Sequence, residues 1–91
     1  MNKAELITAV AEKADLTKRD VETVVSAITE VIEEALTRGE KVSLVGFGTF
    51  EVRDRAARMG RNPQTKQEIK IPATRVPAFR AGKSLKDRIH E

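Results

Sequence analysis

A chain of 91 residues with three Phe, no Trp or Tyr and no Cys makes one small domain with few large groups to fill a core. Without cysteine there are no disulfides and no thiolate chemistry, which suits a reducing compartment. The apolar runs are too short to cross a bilayer and the start lacks a signal peptide's pattern, so a soluble intracellular protein with net charge +3 is expected.

The first predicted element is a helix over "NKAELITAVAEKA". Asn2 with Glu5 three residues on forms a capping-box pattern, and Leu6, Ile7, Val10, Ala11 and Ala14 follow the helical period. "DLTKRD" interrupts that period, with Thr17 as the N-cap of a second helix from about Lys18 to Arg38. Val21, Val24, Val25, Ile28, Val31, Ile32, Ala35 and Leu36 form one stripe on it, and Gly39 supplies the stop. Alternation then replaces the helical period. Val42 and Leu44 point one way, Gly46 and Gly48 bracket Phe47, and Phe50 and Val52 alternate with Glu51 and Arg53. Ile69 and Ile71 alternate around Lys70, Val76 and Phe79 follow, and "AGKSLKDRIHE" reads as a short C-terminal helix. Two helices, three strands and a helix make an α+β fold.

Between Arg53 and Arg75 the bulky apolar groups thin out, and "RNPQT" supplies Asn-Pro turn chemistry at the middle. Two extended flanks around a turn describe a hairpin reaching roughly 30 Å at about 3.3 Å per residue. A body this small cannot cover so long a hairpin, so it is expected to protrude, with Pro72 keeping its strand out of a sheet centre. One domain over 1–91 is expected, with a base and the start of the sheet in 1–52, the arm in 53–76, and the end of the sheet with the last helix in 77–91.

Charge is segregated along the chain. Residues 1–52 hold 6 Lys/Arg against 10 Asp/Glu, a balance of −4, whereas 53–91 hold 11 against 4, a balance of +7. A concentrated positive field selects a polyanion, nucleic acid before anionic membrane. Arg53, Arg55, Arg58, Arg61, Lys66, Lys70 and Arg75 sit on or beside the hairpin, opposed by Asp54 and Glu68. A basic two-stranded ribbon has the width to enter a DNA groove, with guanidinium groups bonding phosphate oxygens or base edges. Pro63 at the tip has two readings: a residue that shapes the turn, or an apolar wedge between base pairs.

Other chemistries lack their residues. "AGKS" at 81–84 is no phosphate-binding loop, because Pro77 stands where that motif needs glycine. A milder role survives there, with N–H groups at the start of the last helix and Lys83 holding a DNA phosphate. A helix-turn-helix reader is disfavoured by Glu22, Glu30, Glu33 and Glu34 on the second helix. His90 is the single histidine and no cluster has metal-ligand spacing, so no catalysis, cofactor or metal is expected. Secondary RNA binding stays open, although the arm has no aromatic group on which bases stack. The apolar stripe together with Phe47, Phe50 and Phe79 exceeds what so small a chain can cover. At roughly 25 cal/mol per Å² this favours a twofold dimer with a shared core.

"GFGTFEVRDRAARMGRNPQT" carries Gly46, Phe47, Phe50, Arg55, Arg58, Gly60, Asn62, Pro63 and Thr65 at a spacing that resembles the bacterial histone-like HU and integration host factor proteins. "NKAELI", "EIKIPA" and "VPAFRAGKSLKD" are similar to HU, and the resemblance spans essentially the whole chain. It implies an intertwined homodimer, with a helical base and two β-arms that embrace double-stranded DNA. Little sequence preference and tighter binding to bent, nicked or mismatched duplexes are further implications. This family is itself a standard example of minor-groove wedging, and the resemblance carries that role onto Pro63. It places DNA contacts on the basic arm residues and on Asn62, Gln64, Thr65 and Lys66, and flanking contacts on Lys3, Arg80, Lys83 and Lys86. Val25, Ile28 and Ile32 join the three Phe residues as the expected dimer core. Lys66 and Gln67 stand where some members have a glycine-containing version of the arm. The implied setting is the cytoplasmic nucleoid, away from membranes.

Overall fold

The computed structural model describes residues 1–90, which divide into two compact units, Met1–Glu34 and a second beginning at Ala35. In the first unit, helix α1 (Lys3–Ala14) begins at a complete capping box. Asn2 Oδ1 accepts the Glu5 N–H at 2.9 Å, and the Glu5 carboxylate accepts the Asn2 N–H at 3.5 Å. Asp15 ends the helix in the left-handed region at φ 57°, a conformation that Asp tolerates better than most residues. Helix α2 (Lys18–Thr37) starts as the sequence predicts, with Thr17 Oγ1 accepting the Asp20 N–H at 3.1 Å.

Ile7 and Ala11 of α1 close on Val21 of α2, which is 2% exposed, and Val25 packs against this cluster. The core of the first unit is that small. Beside it a second apolar line on α2 stays uncovered in the single chain: Val24, Ile28 and Val31 are all half or more exposed. At the far end of α2, the Gly39 N–H donates to the Leu36 carbonyl at 2.9 Å with φ at 79°, the left-handed stop that favours glycine.

The second unit holds five strands, β1 (Val42–Leu44), β2 (Gly48–Arg55), β3 (Arg58–Arg61), β4 (Glu68–Ile71) and β5 (Thr74–Ala81), followed by helix α3 (Lys83–His90). Strands β1, β2 and β5 form an antiparallel sheet in the order β1-β2-β5. Phe50 sits opposite Phe79 in the register, their rings 4.9 Å apart, and Phe47 meets Phe79 at 5.4 Å. Pro77 lies inside β5, where its missing N–H is tolerated because β5 is an edge strand of this chain. Helix α3 is seated on the β1–β2 turn: the Gly82 N–H donates to the Phe47 carbonyl at 2.8 Å and Leu85 to Gly46 at 3.2 Å.

β1 pairs with β2 only as far as Phe50. Beyond it the ladder continues as a two-stranded ribbon to Arg55 opposite Thr74, and resumes in β3 and β4 with Arg58 opposite Ile71. The predicted α+β class, the three-stranded sheet and the long hairpin arm are all present. The hairpin differs from its prediction in one respect. It is interrupted at 56–57 on one strand and at 72–73 on the other, so the expected run through Ile69, Ile71 and Val76 is split into β4 and β5. Pro72 has no N–H for the ladder, which accounts for the break on its side. Two residues drop out of each strand, so the register resumes without a slip.

Candidate nucleic-acid interface

Side chains alternate across a strand, so register assigns each arm cation to a face. Arg53 and Arg55 share one face of β2 with Glu51. In the outer ribbon, Met59 and Arg61 share a face with Glu68 and Lys70, while Arg58 and Gly60 lie with Ile69 and Ile71. Ile71 lies across the Gly60 backbone: a Cβ there would stand 2.7 Å from the isoleucine Cδ1. Glycine lets the two strands support each other without a core beneath them. β3 and β4 pair only with one another, and none of their residues is buried.

The tip is closed by hydrogen bonds. The Asn62 N–H donates to the Gln67 carbonyl at 2.9 Å, and the Lys66 N–H returns to the Asn62 carbonyl at 2.7 Å. Asn62 Oδ1 accepts from the Gln64 N–H at 2.9 Å and the Thr65 N–H at 3.4 Å, and Thr65 Oγ1 accepts from Gln67 at 3.4 Å. Asn62 is half-buried within this loop, whereas Pro63, Gln64, Thr65 and Lys66 are exposed around it. Closure holds Lys66 at φ 61°, in the left-handed region. The glycine-containing version of the arm suits that conformation.

At the root, the carboxylate of Glu51 lies between two candidate DNA contacts, 3.6 Å from Arg80 Nε and 3.9 Å from Arg53 Nε. Its side chain is only 13% exposed, and Oε1 is buried without a hydrogen bond. The sequence marks Asp54 and Glu68 as the opposing acids and does not single out Glu51. Arg80 faces Thr49 across the sheet, and only that register reveals the diagonal approach to Glu51. Arg75 is engaged as well, with Nε 3.9 Å from Asp54 and Nη2 donating to the Leu36 carbonyl at 3.5 Å. That carbonyl belongs to the last turn of α2, where a cation is favourable.

The remaining candidates lie apart from the arm in sequence. Lys3 opens α1, and Lys83 and Lys86 lie on one side of α3, three residues apart. The N–H of Leu85 in the first turn of α3 already donates to Gly46, which narrows the backbone available there for a phosphate. Of the expected dimer core, Phe79 touches both Phe47 and Phe50. Val25 packs on the first unit's core and Ile32 is half-buried. Ile28 remains 51% exposed. Among the described residues no group of His, Asp and Glu could hold a metal ion, and no helix is long and apolar enough to cross a membrane.

The model of the family described as bacterial DNA-binding protein matches residues 1–90. The chain is 64% identical to DNA-binding protein HU of Clostridium pasteurianum over 91 residues, covering 100% of each. Among solved structures, it is similar to HU of Anabaena cocrystallised with DNA, with a TM-score of 0.91 at 56% identity, covering 98% of this chain and 97% of that one. HU from Thermotoga maritima is similar at 42% identity with a TM-score of 0.71, covering 98% of each chain.

Proposed function

The chain belongs to the HU family of bacterial DNA-binding proteins, which are architectural proteins and not enzymes, and from that premise we propose that it binds duplex DNA through the minor groove and bends it with little regard to sequence. The observation that carries this reading is the outer ribbon. It is paired only with itself and bears Arg58, Arg61 and Lys70, with Pro63 exposed at its tip.

Arm cations neutralise phosphates and release counterions, so affinity falls steeply with salt. Pro63 enters a base step and partly unstacks it, a mode for which HU and its relatives are the standard example. Protein–DNA interactions formed along the bent duplex offset a deformation cost of several kcal/mol. Bent, nicked or mismatched DNA has already met part of that cost and binds more tightly. Arg53, Arg55, Lys66 and Arg75 extend the basic track, with Asn62, Gln64 and Thr65 at its end. Arg80, Lys83, Lys86 and Lys3 take the flanking duplex.

Two copies act together. Val24, Ile28 and Val31 on α2, with Phe47 and Phe79 on the second unit, are apolar and exposed in the single chain. Leaving a few hundred Å² of such surface in water costs several kcal/mol at about 25 cal/mol per Å², most of a small domain's stability. A homodimer covers these residues and presents two arms about a twofold axis. The whole of 1–91 then serves as one DNA-binding domain with 53–76 as its arm, working in the cytoplasmic nucleoid.

The experiment is ring closure of short DNA with the parent and with Pro63→Ala. The variant is expected to bend less while its affinity falls by less than about tenfold. Unchanged bending reduces Pro63 to a turn former. Footprinting on random-sequence DNA accompanies it, and one strongly protected site would replace the architectural reading with a sequence-specific one.

A further inference from the structure

Within the tip, every backbone N–H from Asn62 to Gln67 has an acceptor inside the loop, and Pro63 has none to offer. Four of those five bonds involve Asn62, which donates its own N–H and receives Lys66 on its carbonyl and Gln64 and Thr65 on its side-chain oxygen. Two N–H donors facing one amide oxygen also fix which way the side chain is turned: Oδ1 lies inward and the NH₂ group outward. Asn62 is the one half-buried residue of a tip otherwise exposed.

We propose that Asn62 is the positioning residue of the arm: its side-chain oxygen closes the turn and holds the neighbouring Pro63 ring outward before DNA arrives. The inference rests on the bending function above and deepens it. A loop with its N–H groups already satisfied offers none to a phosphate, so the tip meets DNA through side chains alone. The same closure fixes the backbone that carries the proline. An unclosed turn would have to be ordered on the duplex, at the entropic cost that a prebuilt one avoids. Ala at this position removes the acceptor and leaves the Gln64 and Thr65 N–H groups to water. Asp keeps an acceptor in the same place but adds a negative charge near the phosphates.

The test measures the end-to-end distance of a doubly labelled duplex of about 30 bp at saturating protein, so that affinity does not enter the reading. The dependence of affinity on salt is measured on the same duplex. Asn62→Ala is expected to lose most of the bend and approach Pro63→Ala, with the salt dependence unchanged. Asn62→Asp is expected to restore the bend at saturation while binding more weakly at low salt. Melting of the free protein should be the same for all, since the substitutions lie outside both packed units' cores. If Asn62→Ala bends as fully as the parent while Pro63→Ala does not, the positioning role is overturned and the wedge stands. If Asn62→Asp bends no better than Asn62→Ala, the acceptor is not what matters and the role is again overturned. Full bending by Pro63→Ala overturns both readings together.

Discussion

In α1 and α2 a chain is held by what it buries: Val21 is 2% exposed and Ile7 and Ala11 close over it. In β3 and β4 nothing is buried, and the chain is held by a ladder of backbone hydrogen bonds, the Ile71–Gly60 contact and the loop around Asn62. The first arrangement needs apolar surface, and it leaves more of it on α2 than one chain covers. The second needs almost none, which frees the outward side chains to be cationic. Order without burial is what allows a segment to stand in water and still have a defined shape.

The strongest way to break this contrast is a charge on the uncovered α2 line. Ile28→Glu is expected to destabilise the protein by several kcal/mol, since an unpaired charge would enter the shared core. Sedimentation equilibrium should show monomers, and the parent's melting temperature should rise with concentration while the variant's does not. A variant that remains a dimer with parental melting would remove Ile28 from the interface. Substitutions in the outer ribbon should do the reverse. Arg58→Ala combined with Arg61→Ala is expected to leave melting nearly unchanged and to weaken DNA binding about 10- to 100-fold at moderate salt. The slope of log affinity against log salt should become shallower by about 2, one unit per lost phosphate contact. Titrations at several salt concentrations check this, and a parental slope would mean that these arginines touch no phosphate.

The smallest effect concerns Lys66. Its left-handed backbone, φ 61°, costs a non-glycine residue about 1–2 kcal/mol. Lys66→Gly removes both the strain and the charge, whereas Lys66→Ala removes only the charge. Amide hydrogen exchange at Gln64 to Gln67 should therefore be slower in the glycine variant than in the alanine one, with similar losses of affinity. Equal exchange would mean that closure of the tip does not depend on that conformation.

How far the sequence can be read follows the same division. The helices are legible because a 3.6-residue period and the caps at Asn2 and Thr17 act locally, and both caps are made as predicted. The arm is legible from its Asn-Pro turn, its thin apolar content and its excess of arginine. The break in the ladder is less so: Pro72 marks one strand, but nothing at Ala56 or Ala57 marks the other. Glu51 escapes notice because its neighbour Arg80 is remote in sequence and close only once β2 and β5 are in register. The resemblance makes Asn62 a DNA contact, since an asparagine beside proline suits a groove and a turn equally well. Only the hydrogen bonds assign its oxygen to the loop.

The interruption at 56–57 and 72–73 sets a rule on arm length. Because the count is equal on both sides, the pairing register resumes after the gap, and because it is even, a period of two is not shifted by it. Adding one residue to each strand would turn the tip over relative to the root, carrying Arg61 to the side now held by Arg58. Adding two per strand would keep the sides and extend the reach by about 7 Å. Reach in this scaffold is therefore quantised, and variants of intermediate length would carry the tip side chains on the opposite side of the ribbon.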